Sequence, residues 1–208
     1  MKYKLVIFDF DGTLANSLPW FMGVTNTFAD KYRFKRIEEH EVETLRGYSA
    51  RQIVQHLGVP MWKVPVIARH MRRVSAEQID QVSLFPGVDR MLQQLAEAGI
   101  SLAIVTSNSY DNVRHVLGPN NAALIRYFEG GVSLFGKRAR FRNVLKQSGV
   151  QPHEAMSIGD EIRDIEASHK EQIPFGAVSW GFTHVETLKA LGPTAVFATV
   201  EDIVATCT

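Results

Sequence analysis

Cysteine is almost missing from this chain: among 208 residues the only one is Cys207. An intrachain disulfide is thereby excluded, and a reducing compartment suits the protein better than an oxidising one. Long apolar runs are missing too. The first, Leu5 to Phe8, ends at Asp9, which is too short for the apolar region of a secretory signal, and no stretch approaches the roughly 20 apolar residues of a membrane span. Neither sign of charge predominates, with 23 Lys plus Arg against 22 Asp plus Glu. The chain as a whole has no electrostatic case for nucleic acid or a membrane surface. It shows no internal repeat and no low-complexity tract, and its seven histidines form no close pair at metal-ligand spacing. What is present is a 45% hydrophobic composition, enough to bury a sizeable core. The expectation is a cytoplasmic globular protein with neither membrane nor nucleic-acid partners, either monomer or homodimer.

Continuous β-prone apolar runs at Lys4 to Phe8, Ile100 to Val105 and Ala155 to Ile158 predict fully buried strands, with weaker ones at Gly176 to Ser179 and Ala195 to Phe197. Between them lie helical patterns. Pro86 to Ala98 places Val88, Met91, Leu92 and Leu95 on one face, with a proline near its start and Gly99 past its end. Arg140 to Ser148 repeats the scheme with Phe141, Val144 and Leu145 inward and Gly149 as its stop. Strands alternating with helices predict an α/β fold with a mainly parallel sheet. One interval departs from this rhythm. Residues 18–84 contain no convincing buried strand and read as amphipathic helices at Trp20 to Tyr32, Glu38 to Leu45, Ala50 to Leu57 and Trp62 to Ile79. They predict a small helical domain inserted after the first strand, with 1–17 and 85–208 forming the core. The insert carries ten basic and seven acidic residues, a weak preference for anionic ligands.

Chemistry concentrates where the predicted strands end. FDFDGTL, residues 8–14, sets Asp9 and Asp11 directly after the first strand, on the same side, with Phe10 turned away and Gly12 allowing a tight turn. Taken alone this is an ordinary acidic turn. After the second strand comes Thr106-Ser107-Asn108, hydroxyls and backbone N–H groups leading into a helix, a natural anion site or simply a helix cap. After the third comes GDEIRD, with Asp160 and Asp164 one helical turn apart. Asp9, Asp11 and Asp160 converging from two strand ends resemble an oxygen-ligand site for Mg²⁺, since their mutual repulsion is costly without a cation. Lys137, in FGKRARF, is a candidate partner for both phosphate and carboxylate. Any one of these features has an ordinary structural explanation; the set in this order is much harder to explain that way.

The ordered pieces FDFDGTLANS, IVTSN, Lys137 and SIGDEIRDIEAS resemble the haloacid dehalogenase-like superfamily of phosphohydrolases. The helical insert sits where that superfamily carries a helical cap, and SWGF (179–182) is similar to a segment of its phosphoglycolate phosphatase-like members. Two departures are visible: Arg138 follows Lys137 where many relatives have proline, and the cap loop LRGYSAR (45–51) matches no single substrate type. The resemblance implies a Rossmann-like, mainly parallel core with an inserted α-helical cap, acting on a small phosphorylated metabolite. It implies that Asp9 attacks phosphorus to form an aspartyl-phosphate, and that Asp11 protonates the leaving oxygen and then activates water. It further implies Mg²⁺ held by the Asp9 carboxylate, the Asp11 carbonyl and Asp160, phosphoryl oxygens held by Thr106, Ser107 and Lys137, and Asp164 orienting Lys137 or a metal-bound water. Arg46 and Arg51 are the candidate specificity residues, either clamping a second anionic group of the substrate or lying solvated in a helix–helix turn. The alternatives are a phosphomutase with the same residues, a receiver-like signalling domain, and a non-catalytic phosphate-binding protein.

Overall fold

The computed structural model describes residues 2–131 and 136–208; Phe135 of the FGKRARF segment lies outside them. Among the described residues are six strands in one sheet. Four consecutive apolar residues, buried on both faces, form β1 (Leu5–Phe8). Mainly apolar runs form β2 (Ser101–Val105) and β4 (Ala155–Gly159), which flank β1 on either side. β3 (Ile125–Glu129) lies outside β2; β5 (Phe175–Val178) and then β6 (Ala195–Phe197) extend the other edge. The order is β3-β2-β1-β4-β5-β6, and the neighbours run parallel throughout. The predicted α/β class with a parallel sheet is what the molecule has. This order reverses beside β1, and such a switch opens a crevice at the carboxyl ends of the central strands.

β3 was not expected from the sequence. Its residues IRYFE mix apolar with polar and are only partly buried before Glu129, as suits a strand at the sheet edge. It also follows directly on α6 (Tyr110–Leu124), with no glycine or proline between the two to mark a boundary. α6 itself is broken at Gly118, whose φ of 70° interrupts the helix just before Pro119.

In the interval 18–84 the chain forms α1 (Leu18–Tyr32), α2 (Val42–Leu45), α3 (Ala50–His56) and α4 (Val64–Glu77), with short 3₁₀ turns between them. Ser49 starts α3 through a reciprocal cap: its Oγ accepts from Gln52 N, and Gln52 Oε1 accepts from Ser49 N. Beyond the interval follow α5 (Val88–Glu97), α7 (Lys137–Ser148), α8 (Ile162–Lys170), α9 (Val185–Lys189) and α10 (Val200–Cys207). α5 buries Val88, Met91, Leu92 and Leu95 against the sheet, the face its periodicity predicts. α7 buries Phe141 and Val144 on the opposite layer, with Leu145 packed alongside. Among the described residues no helix is long and apolar enough to cross a membrane.

Candidate active site

The pairing register aligns Phe8 with Ile104 of β2 and Ile158 of β4. The chain therefore leaves the three strands within one residue of the same level of the crevice: Asp9 from β1 and, one residue further along, Thr106 from β2 and Asp160 from β4. Asp9 is pinned by its own backbone, whose N–H donates to Ile158 O at 2.9 Å. Its Oδ1 accepts from Phe10 N at 2.7 Å, and its Oδ2 lies 2.7 Å from Lys137 Nζ. Lys137 opens α7 and is only 4% exposed, an unusual burial for a lysine that its partners explain. Its ammonium also lies 2.5 Å from Asp164 Oδ1, while Asp164 Oδ2 accepts from Glu161 N and caps α8. Lys137 Nζ thus sits between Asp9 Oδ2 and Asp164 Oδ1, with all three atoms buried.

The turn after Asp9 brings the second carboxylate round. Phe10 points into the core, fully buried, so Asp11 returns to the crevice side as the strand alternation predicts. Asn108 Nδ2 donates to Asp11 Oδ2 at 3.1 Å, and Asn108 Oδ1 accepts from Ser109 N and Asn112 Nδ2, which fixes the amide's orientation. Thr106 is buried, and its Oγ1 accepts from Asn108 N at 3.0 Å, leaving the hydroxyl proton to donate elsewhere. Ser107 is half-buried beside it. The Thr-Ser-Asn run does not itself open the helix; Ser109 caps α6 by accepting from Asn112 N. Gly12 has φ +79°, and a Cβ there would collide with the Asp160 carboxylate and the Phe182 ring. Both the backbone and the space require glycine. Asp160 is fully buried and doubly held: Oδ1 accepts from Thr13 Oγ1 and Oδ2 from Phe182 N, each at 2.7 Å. Trp180 closes this corner by donating its indole N–H to Thr13 O at 3.1 Å.

So many acids in one buried place perturb one another. Burial, then the charge of Asp9, pushes Asp11 up to about 6. Burial likewise raises Asp164 to about 7, against the pull of Lys137. Asp160 is driven well above the carboxylate range by burial and by Glu161, Asp9 and Asp164. Burial would lower Lys137, but Asp164 and Asp9 outweigh it and hold the ammonium above its ordinary value. Arg163, paired with Glu161 at 2.6 Å, is raised in the same way. Carboxylate oxygens of Asp9, Asp160 and Asp164 lie within 4.8 Å of one another. A buried, all-oxygen donor set of this kind fits a small hard divalent cation.

The structure thus brings together Asp9, Asp11, Thr106, Ser107, Lys137, Asp160 and Asp164. It places Arg46 and Arg51 differently. Arg51 is exposed on α3. Arg46 turns its guanidinium to main-chain carbonyls, with Nε donating to Phe182 O at 3.1 Å and Nη2 to Gly181 O at 3.2 Å, while Nη1 meets Glu43. Sequence reasoning did not assign roles to Asn108, Thr13, Phe182 and Arg163. Asn108 and Arg163 were visible inside motifs already singled out. The Phe182 N–H and the Thr13 hydroxyl gain meaning only once the chain is folded.

Residues 6–178 match the family described as haloacid dehalogenase-like hydrolase. The chain is 32% identical over 201 residues to phosphoglycolate phosphatase from Synechococcus elongatus, covering 96% of this chain and 95% of that one. It is 26% identical over 211 residues to tyrosine-protein kinase PtkA of Mycobacterium tuberculosis, covering 96% of this chain and 71% of that one. In structure it is similar to a predicted phosphoglycolate phosphatase from Haemophilus somnus, with a TM-score of 0.79 at 24% identity and coverage of 100% and 99%.

Proposed function

The chain belongs to the haloacid dehalogenase-like hydrolases, and on that ground we propose that it is a Mg²⁺-dependent phosphatase acting on small phosphate monoesters, phosphoglycolate among them. The observation that carries this reading is the meeting of Asp9, Asp11, Lys137 and Asp160 at the ends of β1 and β4 and the start of α7. The phosphoglycolate phosphatase relative, matched over nearly the full length of both chains, supports the substrate class.

In this reading the Asp9 carboxylate attacks phosphorus and the bond from phosphorus to the ester oxygen breaks. Asp11 gives its proton to the departing oxygen; a carboxyl titrating at about 6 keeps a useful protonated fraction near neutrality. Asn108 holds that carboxyl in position through its fixed amide. The ionised Asp11 then takes a proton from water, whose oxygen attacks phosphorus and releases Asp9 and inorganic phosphate. Thr106 Oγ1, the Ser107 N–H and Lys137 donate to the phosphoryl oxygens as their charge redistributes. Asp9, Asp160 and the Asp11 carbonyl would hold Mg²⁺, with Asp164 setting Lys137. When bound, the cation offsets the negative charge shared by nucleophile and substrate.

Residues 18–84 would act as a cap that selects the leaving group, since the core residues address only the phosphoryl group and the metal. Arg51 is the cap-loop cation left to meet a second anionic group on the substrate. A reducing, cytoplasmic setting suits Cys207, a buried thiol pushed up to about 12 by burial. A phosphotransfer reading, in which a hydroxyl other than water takes the phosphoryl group as in a phosphomutase, is favoured by the kinase relative. The test is a panel of phosphate monoesters with Mg²⁺, following alcohol and inorganic phosphate together. Equal release of both supports hydrolysis. Alcohol released without phosphate indicates transfer, and no turnover of any ester overturns the reading.

A further inference from the structure

The sequence leaves Arg46 either clamping an anion on the substrate or lying solvated in a turn, but in the folded chain its guanidinium is engaged with main-chain carbonyls. Nε and Nη2 donate to the carbonyls of Phe182 and Gly181, and Nη1 faces Glu43 Oε1 at 3.3 Å. The contact is reciprocal. His184 N donates to Arg46 O at 3.0 Å, and the His184 ring approaches both the Glu43 carbonyl and its carboxylate. The turn 43–47 is therefore fastened to the loop 181–184 through side chain and main chain alike.

The other side of that loop touches the catalytic centre. Phe182 N donates to Asp160 Oδ2 at 2.7 Å. Gly181 lies so close to Asp160 that a Cβ would overlap its side chain, and the Phe182 ring faces Gly12 and, at 5.9 Å between centroids, Phe21 of α1. Two residues therefore join the helical interval to the buried acid: Arg46 takes the carbonyls of 181 and 182, and the amide of 182 orients Asp160.

We propose that Arg46 is a positioning residue that couples the seating of the cap to the geometry of Asp160, so that the cation site is fully formed only when the turn 43–47 is docked. This rests on the phosphatase reading with Asp160 as a metal ligand. An outer partner that orients a ligating carboxylate commonly changes metal affinity by about 10–100-fold. Arg46 acts one link further out, so an effect of about three- to tenfold is expected. Since the cation serves every substrate alike, the loss should not depend on the leaving group.

The test titrates Mg²⁺ calorimetrically into metal-free wild type, Arg46→Ala, Arg46→Lys and Arg73→Ala, and follows hydrogen exchange at the Phe182 amide. Arg46→Ala should weaken Mg²⁺ binding about three- to tenfold and speed exchange at Phe182. Arg46→Lys should recover part of both, because an ammonium can donate to two carbonyls. Arg73, exposed on α4 beside Glu77, serves as the control and should leave both unchanged. Arg46→Ala should also lower kcat/KM equally for the best substrate and for p-nitrophenyl phosphate. A wild-type Mg²⁺ Kd in folded Arg46→Ala overturns the coupling while leaving the phosphatase reading intact. A loss confined to the best substrate overturns it too, in favour of a substrate clamp. Failure of wild type itself to bind Mg²⁺ or to hydrolyse esters overturns both.

Discussion

Asp9 and Asp11 are two residues apart in sequence, yet their surroundings differ. Asp9 lies 2.7 Å from the Lys137 ammonium, whereas Asp11 faces the neutral amide of Asn108. Asp9→Asn is expected to fold and to lose turnover, because an amide is not a nucleophile. Retention of more than a small fraction of wild-type kcat would remove Asp9 from that role. Asp11→Asn should slow turnover by roughly 10²–10⁴-fold while sparing metal binding. It should also show in stability. The folded carboxyl titrates at about 6, above its ordinary value of 3.8, so the folded state holds the proton more tightly than the unfolded chain. Stability is therefore lost as pH rises between those values and stays lost above them. Without metal at pH 7.5, Asp11→Asn should gain up to about 3 kcal/mol, roughly 6–12 °C in Tm. The gain should vanish below pH 4. An unchanged or lower Tm at pH 7.5 would show that the Asn108 contact outweighs the burial of charge.

α5 shows how an element reports its own packing. Its four buried residues recur at helical spacing and meet the sheet, so Leu92→Ala should cost about 2–5 kcal/mol through lost burial and an unfilled cavity. Gln93→Ala, next to it but facing solvent, should change stability by less than about 0.5 kcal/mol. Urea unfolding of both variants measures the contrast. Similar losses would mean that the helix end, rather than its buried face, sets the cost. The elements that carry the candidate site follow a different logic. β1 and β4 supply Asp9 and Asp160 only because their registers agree, and α7 delivers Lys137 from its first position.

Across the whole molecule, a cation between β1 and β4 should stabilise the fold as well as serve the chemistry, since it relieves the repulsion of Asp9, Asp160 and Asp164. Mg²⁺ should therefore raise Tm in a concentration-dependent way and be required for turnover. Ca²⁺ should bind but inhibit, because it takes more ligands at longer distances and draws the Asp9 carboxylate away from phosphorus. Full activity after chelation would remove the metal from the mechanism. The proposed division of labour between the core and residues 18–84 has its own signature. Arg51→Ala should lower kcat/KM for the best substrate while barely changing hydrolysis of p-nitrophenyl phosphate. Equal losses on both would place Arg51 in folding or in the core chemistry.

By itself the sequence determined β1, β2, β4, the buried face of α5, the helical character of 18–84, and the crowding of Asp9, Asp11 and Asp160 at strand ends. Each of these is written in neighbouring residues, since an unbroken apolar run or a helical period records the burial of that same segment. β3 was not legible because an edge strand buries little, and IRYFE follows a helix without a break. The tertiary structure alone decided the pairings across long separations. Thr13 meets Asp160 147 residues away, and Arg46 reaches Phe182 136 residues away. A hydrogen bond to a backbone carbonyl leaves no mark on the sequence of the residue that accepts it. For that reason the same arginine that resembles a substrate clamp in the sequence becomes, in the folded chain, a tie between the turn 43–47 and the loop that holds Asp160.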